Sequence, residues 1–255
     1  MFKELHALDG RVAVVTGANG YIGRACAHAL AEWGADTVLC DINDEMSRQA
    51  VAALRTLGYS SRGWSFDVTD ADAIRRAASE IYDVYGKIDI LVANAGIVRN
   101  ANAEAMDDVD WNNVIDVNLS GVFRCNQSFG RYMLERGSGA IVNISSIASF
   151  TSLYPQPQAG YNASKAGVNL LTKSLAGEWA ARGVRVNAVA PTYIETEMTE
   201  HGAKEGWGDA WLERTPMRRM GQPAEIGAVV HFLASDASSL MTGAVVAADA
   251  GYSSW

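Results

Sequence analysis

Arg11-Val-Ala-Val-Val-Thr16 is an unbroken apolar run, too short for a helix and without polar alternation, as expected of a strand covered on both faces. It leads into Gly17-Ala-Asn-Gly20-Tyr-Ile-Gly23 and then an alanine-rich stretch at helical spacing to about Trp33. The alternation repeats downstream. Asp36-Thr-Val-Leu-Cys40 reads as a second strand, 44–57 as a helix, 62–66 as a short strand ending at Asp67-Val68, and 70–85 as a helix. Ile88-Asp-Ile-Leu-Val-Ala93 reads as a further apolar strand, closed by Asn94-Ala-Gly96. Long helices are expected near 110–136 and 160–182, with apolar residues on more than one face. Strand and helix in this order predict an α/β fold: a doubly wound parallel sheet with helices on both faces and a ligand crevice beyond the strand ends.

With 255 residues, 49% of them hydrophobic, the chain suits one large domain over 1–255. Five prolines and scattered glycines leave no linker, and no internal repeat is visible. The formal charge of −8, with dispersed basic residues, argues against nucleic acid as a partner. Glu4 interrupts a start that lacks an apolar core, so no secretory signal is expected, and no run of apolar residues suits a membrane span. Cys26, Cys40 and Cys125 are odd in number and sit in apolar surroundings, which suits core packing in a reducing cytoplasm. His6, His28, His201 and His231 form no ligand cluster, so no metal is expected. His28 and His231 sit within helical patterns and suit packing or surface roles.

The candidate chemistry lies at three places. Glycines at the first strand-to-helix turn let a pyrophosphate rest on the positive end of the helix. Asp41, just past the second strand, can accept hydrogen bonds from ribose hydroxyls. It would repel a 2′-phosphate by roughly 4 kcal/mol at 4 Å before salt screening, which favours NAD over NADP. Asp67 suits either an adenine contact or a strand-end cap. Tyr161 and Lys165 stand four apart on one face of a helix, downstream of Ser145-Ser146. A lysine charge within about 4 to 6 Å, helped by a second cation, could lower the phenol pKa by roughly two to three units.

Thr16-Gly17 with Gly20 and Gly23, Asn94-Ala95-Gly96, Asn118, Ser145-Ser146, Tyr161-x-x-x-Lys165 and Pro191-x-x-x-x-Thr196, in this order, resemble the short-chain dehydrogenase/reductase family from about Leu8 onward. The resemblance implies a single-domain Rossmann fold of about seven strands. It also implies Tyr161 as general base for alcohol oxidation, Lys165 as its helper and ribose ligand, Ser146 orienting the substrate oxygen, and Asn118 holding a water in a proton relay. Ser145 would cap backbone instead. The cofactor site would comprise Gly17, Asn19, Gly20, Tyr21, Ile22 and Gly23; Asp41 and Ile42; Asp67 and Val68; and Asn94, Ala95 and Gly96. Tyr161, Lys165, Pro191, Thr192, Ile194 and Thr196 would complete it.

Three positions depart from the family pattern. Tyr21 replaces a usual glycine, Thr192 stands where glycine commonly follows the proline, and Ala248-Asp-Ala250-Gly251 lacks the common paired glycines. The loop from Ser146 to Tyr161, carrying Gln156 and Gln158, and the end Gly251-Tyr-Ser-Ser-Trp255 are similar to sugar-alcohol dehydrogenases within the family, implying a polyol or related alcohol/ketone substrate. Residues 192–215, with Gly202, Gly206, Gly208, Trp207 and Trp211, are expected to act as a lid. The resemblance and the broad apolar helix faces imply a homo-oligomer, a tetramer in the family's usual form. Two other readings compete: an NADPH-dependent 3-oxoacyl reductase, opposed by Asp41, and a non-catalytic dinucleotide sensor, opposed by the intact Asn118, Ser146, Tyr161 and Lys165.

Overall fold

The computed structural model describes residues 1–254; Trp255, the last of the aromatic C-terminal run, lies outside them. Val12–Thr16 (β1), Asp36–Asp41 (β2), Ser61–Ser65 (β3), Ile90–Ala93 (β4), Gly139–Ile144 (β5), Val184–Pro191 (β6) and Val245–Ala248 (β7) form one sheet. All neighbours are parallel, in the order β3-β2-β1-β4-β5-β6-β7. The helices are Phe2–His6 (α1), Tyr21–Glu32 (α2), Asp44–Thr56 (α3), Ala71–Tyr85 (α4), Asp108–Ile115 (α5), Val122–Arg136 (α6), Ala159–Trp179 (α7), Glu197–Lys204 (α8), Gly208–Glu213 (α9) and Pro223–Ala234 (α10).

The uninterrupted apolar character of β1 follows from its place between two layers. Ala13 and Val15 pack with α2, α3 and α10, while Val12 and Val14 pack with α4, α6 and α7. Helix α4 shows how local sequence sets such an element. Asp70 accepts from the amides of Asp72 and Ala73, Ile74, Ala77, Ala78 and Ile81 make one buried stripe, and Gly86 ends the helix at φ +70°. Burying each isoleucine contributes about 2 to 3 kcal/mol.

The chain order reverses between β1 and β4, so the connections after these strands diverge and leave a crevice at their carboxyl ends. The helix expected over 110–136 is α5 and α6 joined by a π-helical turn, Asp116–Gly121, which carries Asn118. Such turns re-aim side chains at the cost of regular hydrogen bonding. The expected helix over 160–182 is α7 followed by a short 3-10 turn, Ala180–Arg182. His231 packs as expected, stacked on Trp33 at 4.7 Å with its ring nitrogen 2.8 Å from the His6 carbonyl, which pins α1 to α10.

Candidate active site

A cleft of about 740 Å³ runs along the carboxyl edge of the sheet. One end is built by the turn after β1. Gly17 adopts φ +61°, and a Cβ there would stand 2.7 Å from the Ala95 Cα. At Gly23 a Cβ would meet the Gly17 carbonyl at 2.3 Å. These two glycines are therefore required by the turn's own packing, whereas at Gly20 the nearest atom would be an ordinary 3.6 Å away. Gly20 caps α2 without a side chain, leaving the first amides of the helix to the cleft. That geometry fits a pyrophosphate.

Asn94 clamps the same turn, its side-chain amide donating to the carbonyls of Thr16 (3.0 Å) and Gly17 (2.9 Å). Asp41 lines the cleft at the end of β2, one carboxylate oxygen accepting from the Asn19 amide at 3.0 Å. Of the other residues expected at a cofactor, Gly17, Gly20, Tyr21, Ile22, Gly23, Ile42, Asp67, Val68, Asn94, Ala95, Gly96, Pro191, Thr192, Ile194 and Thr196 also line the cleft. Asn19 does not. It is buried, and its side chain bonds the Asn43 carbonyl (2.9 Å) and Ser47 (3.3 Å), tying the turn to α3. Asp67 reaches the cleft and also caps the strand end, accepting from the Thr69 amide at 2.8 Å.

The other end holds Ser146, Tyr161 and Lys165. Ser146 follows β5, and Tyr161 and Lys165 lie one turn apart on α7, with the Lys165 ammonium 5.7 Å from the centre of the Tyr161 ring. Lys165 Nζ donates to the Ile144 carbonyl at 2.8 Å, and burial pushes its pKa down to about 8. Burial raises the Tyr161 pKa, opposed by a hydrogen bond with Ser146. The net direction in the protein alone is upward, because desolvation of the phenolate outweighs the Ser146 contribution. Ser145 bonds within the fold, its single hydroxyl proton donated to Asn169 Oδ1 at 2.6 Å and its oxygen 3.3 Å from the Lys165 carbonyl.

Asn118 is fully buried and does not line the cleft. Its side chain accepts from the Ile97 amide (2.8 Å) and donates to the Ile97 carbonyl (2.9 Å) and Ser164 (3.1 Å). It fixes the segment after β4 against α7. A Cβ on Gly96 would stand 3.4 Å from the Asn118 oxygen and 3.6 Å from Lys165 Nζ, so Asn118, Gly96 and Lys165 share one corner.

The roof over the Tyr161 end is aromatic and comes from α8, α9 and the chain after β6. Trp211 stacks on Tyr193 at 4.3 Å, and Gln156 joins them, accepting from Trp211 Nε1 (2.9 Å) and donating to the Tyr193 hydroxyl (3.0 Å). Gly202 is small because a Cβ there would meet the Trp211 ring at 2.3 Å. The sequence had flagged Trp207, Trp211 and Gln156, with Tyr193 inside the expected lid, but not Arg99, Asn100 or Asn113, which also line the cleft. Position immediately after Asn94-Ala95-Gly96 could have drawn notice to Arg99 and Asn100; nothing local marks Asn113.

The arrangement can bind a dinucleotide along the sheet edge and place a hydroxyl-bearing carbon between Ser146, Tyr161 and the cofactor ring. A family described as "Enoyl-(Acyl carrier protein) reductase" matches residues 17–253. A galactitol 2-dehydrogenase of Rhizobium johnstonii is 48% identical over 256 residues, covering 100% of this chain and 99% of that protein. The crystal structure of gox2181 superposes with a TM-score of 0.99 at 49% identity, covering 100% of both chains. A gluconate 5-dehydrogenase from Burkholderia cenocepacia, solved in complex with NADP and tartrate, gives a TM-score of 0.95 at 38% identity, again over 100% of both chains. With these matches spanning the sheet, the glycine turn and the Ser146-Tyr161-Lys165 corner alike, the chain belongs to the short-chain dehydrogenase/reductase family of nicotinamide-dependent oxidoreductases.

Proposed function

We propose that this enzyme oxidises a secondary hydroxyl of a polyol, with Tyr161 as general base and NAD as hydride acceptor. The observation that carries the reading is the corner itself: Ser146 and a half-buried Tyr161 line one end of the cleft, with the buried Lys165 one turn along α7 and its ammonium 5.7 Å from the phenol ring centre. Ser146 and Tyr161 hold the substrate oxygen, and Tyr161 takes its proton. Lys165 supplies positive charge below the ring, and Asn118 keeps the Ile97 backbone in place beside it. Nicotinamide, when bound, would accept the hydride and add the second positive charge that favours the phenolate.

Asp41 supports NAD. Its carboxylate lines the cleft at the end of β2, followed there by Ile42, and the cations among the described residues lining the cleft, Arg99 and Lys165, come from other segments. The relative with bound NADP makes this choice a matter for measurement. The galactitol dehydrogenase relative supports a polyol substrate. Exposed Trp111, Phe123 and Leu170 on α5, α6 and α7 support a homo-oligomer, a tetramer in our reading, in which a second copy covers them. Cys26, Cys40 and Cys125 are buried free thiols, which suits the reducing cytoplasm where we place the enzyme. No helix among the described residues is long and apolar enough to cross a membrane.

The test is NADH and NADPH formation over a panel of polyols, hydroxy acids and simple secondary alcohols at mildly alkaline pH. NADH formed from polyols, and lost in Tyr161→Phe, is the expected result. The acyl-carrier wording of the matching family favours one other reading, an oxoacyl reductase. Activity confined to oxoacyl thioesters with NADPH would establish that reading in place of ours.

A further inference from the structure

Two loops are sewn together beside Tyr161. The Ala101 amide donates to the Pro157 carbonyl at 3.0 Å, and Asn118 holds Ile97 through both its N–H and its carbonyl. Arg99 and Asn100 are thereby brought beside the loop bearing Gln156 and Gln158. Gln156 is already spent on Tyr193 and Trp211, whereas Gln158, Asn100 and Asn113 present uncharged amides to the cleft. Gln158 uses its amide nitrogen on Asn162 at 3.0 Å, which leaves its carbonyl oxygen to accept from a hydroxyl.

Charge in this corner is nearly cancelled. Among the described residues lining the cleft, the cations are Arg99 and Lys165. Lys165 is committed to the Ile144 carbonyl and to catalysis. Arg99 points Nε at the Asp110 carboxylate, 3.4 Å away, and donates from Nη1 to the Val98 carbonyl at 2.9 Å. Glu197 adds a further negative charge along the cleft. A carboxylate drawn into this corner would shed water without gaining an unpaired cation, whereas hydroxyls would meet amides.

We propose that the site selects uncharged polyols against the corresponding sugar acids, and that Asp110 is a specificity-determining residue because it neutralises Arg99. This rests on the polyol reading above. The experiment compares kcat/KM of the intact enzyme on galactitol and threitol with that on galactonate, gluconate and threonate, then repeats the comparison in Asp110→Asn. The wild type should favour the polyols by at least about tenfold, and Asp110→Asn should raise the acid-to-polyol ratio by about fivefold. A ratio taken on one preparation is insensitive to partial misfolding. Sugar acids used as well as polyols by the wild type would overturn the proposal, as would an unmoved ratio in the variant. If neither class reacts while a simple alcohol or an oxoacyl thioester does, the polyol reading itself fails, and the selectivity with it.

Discussion

At Tyr161, burial raises the phenol pKa while Ser146 works against it, so the base proposed here needs both its hydroxyl partner and positive charge to act near neutrality. Tyr161→Phe should lower kcat by about 10²- to 10⁴-fold while dinucleotide binding, measured by fluorescence titration, changes little. Asp41→Ala should raise kcat/KM for NADP relative to NAD; an unchanged ratio would remove Asp41 from cofactor selection. Lys165 has a depressed pKa of about 8 in the folded protein, against an ordinary value of 10.5. Between these values the unfolded chain binds the proton that the folded protein has released, so this group's contribution to stability rises with pH, and the penalty is complete below pH 8. Comparing urea unfolding of the wild type and Lys165→Met at pH 8 and pH 10 isolates this from the buried cysteines, whose raised pKa values act oppositely. The wild type should gain about 2 kcal/mol over the variant across that interval. Ala250, where paired glycines are common, holds φ +51° before Gly251 at φ +84°. Ala250→Gly should relieve about 1 kcal/mol of left-handed strain, visible as a higher Tm.

At the scale of elements, the π turn between α5 and α6 and the glycine turn before α2 do comparable jobs by different means. The first turns Asn118 inward to hold the Ile97 backbone; the second brings Gly17, Gly23 and Asn94 so close that no side chain fits. Gly23→Ala would press a methyl onto the Gly17 carbonyl. It should lower dinucleotide affinity more than it lowers Tm, because the clash distorts the turn and leaves the sheet in place. A larger loss of Tm than of affinity would show the turn to be mainly a folding element. The helices that carry these side chains were legible from caps and spacing, as in Asp70, the Ile74 to Ile81 stripe and Gly86 of α4. The π turn was not legible, since it differs from a straight helix by where one buried amide finds its partners.

The whole molecule places a dinucleotide cleft where the sheet reverses order and roofs its Tyr161 end with Tyr193, Trp211 and Gln156. The apolar positions Trp111, Phe123 and Leu170 remain open on α5 to α7. Light scattering should give a mass of four chains, and Leu170→Lys should shift it toward smaller species; an unchanged monomer in both would refute the assembly. The amino-acid sequence by itself determined the parallel α/β sheet, the glycine turn, Asp41 and the Tyr161-Lys165 pair, because period, turn chemistry and four-residue spacing are local quantities. Only the tertiary structure decided that Asn19 braces α3 instead of lining the cleft, that Asn118 holds backbone, that burial outweighs Ser146 at Tyr161, and that Arg99 faces Asp110. Each of these depends on solvent exclusion or on a partner far along the chain or in another element, and such contacts leave no period in the sequence.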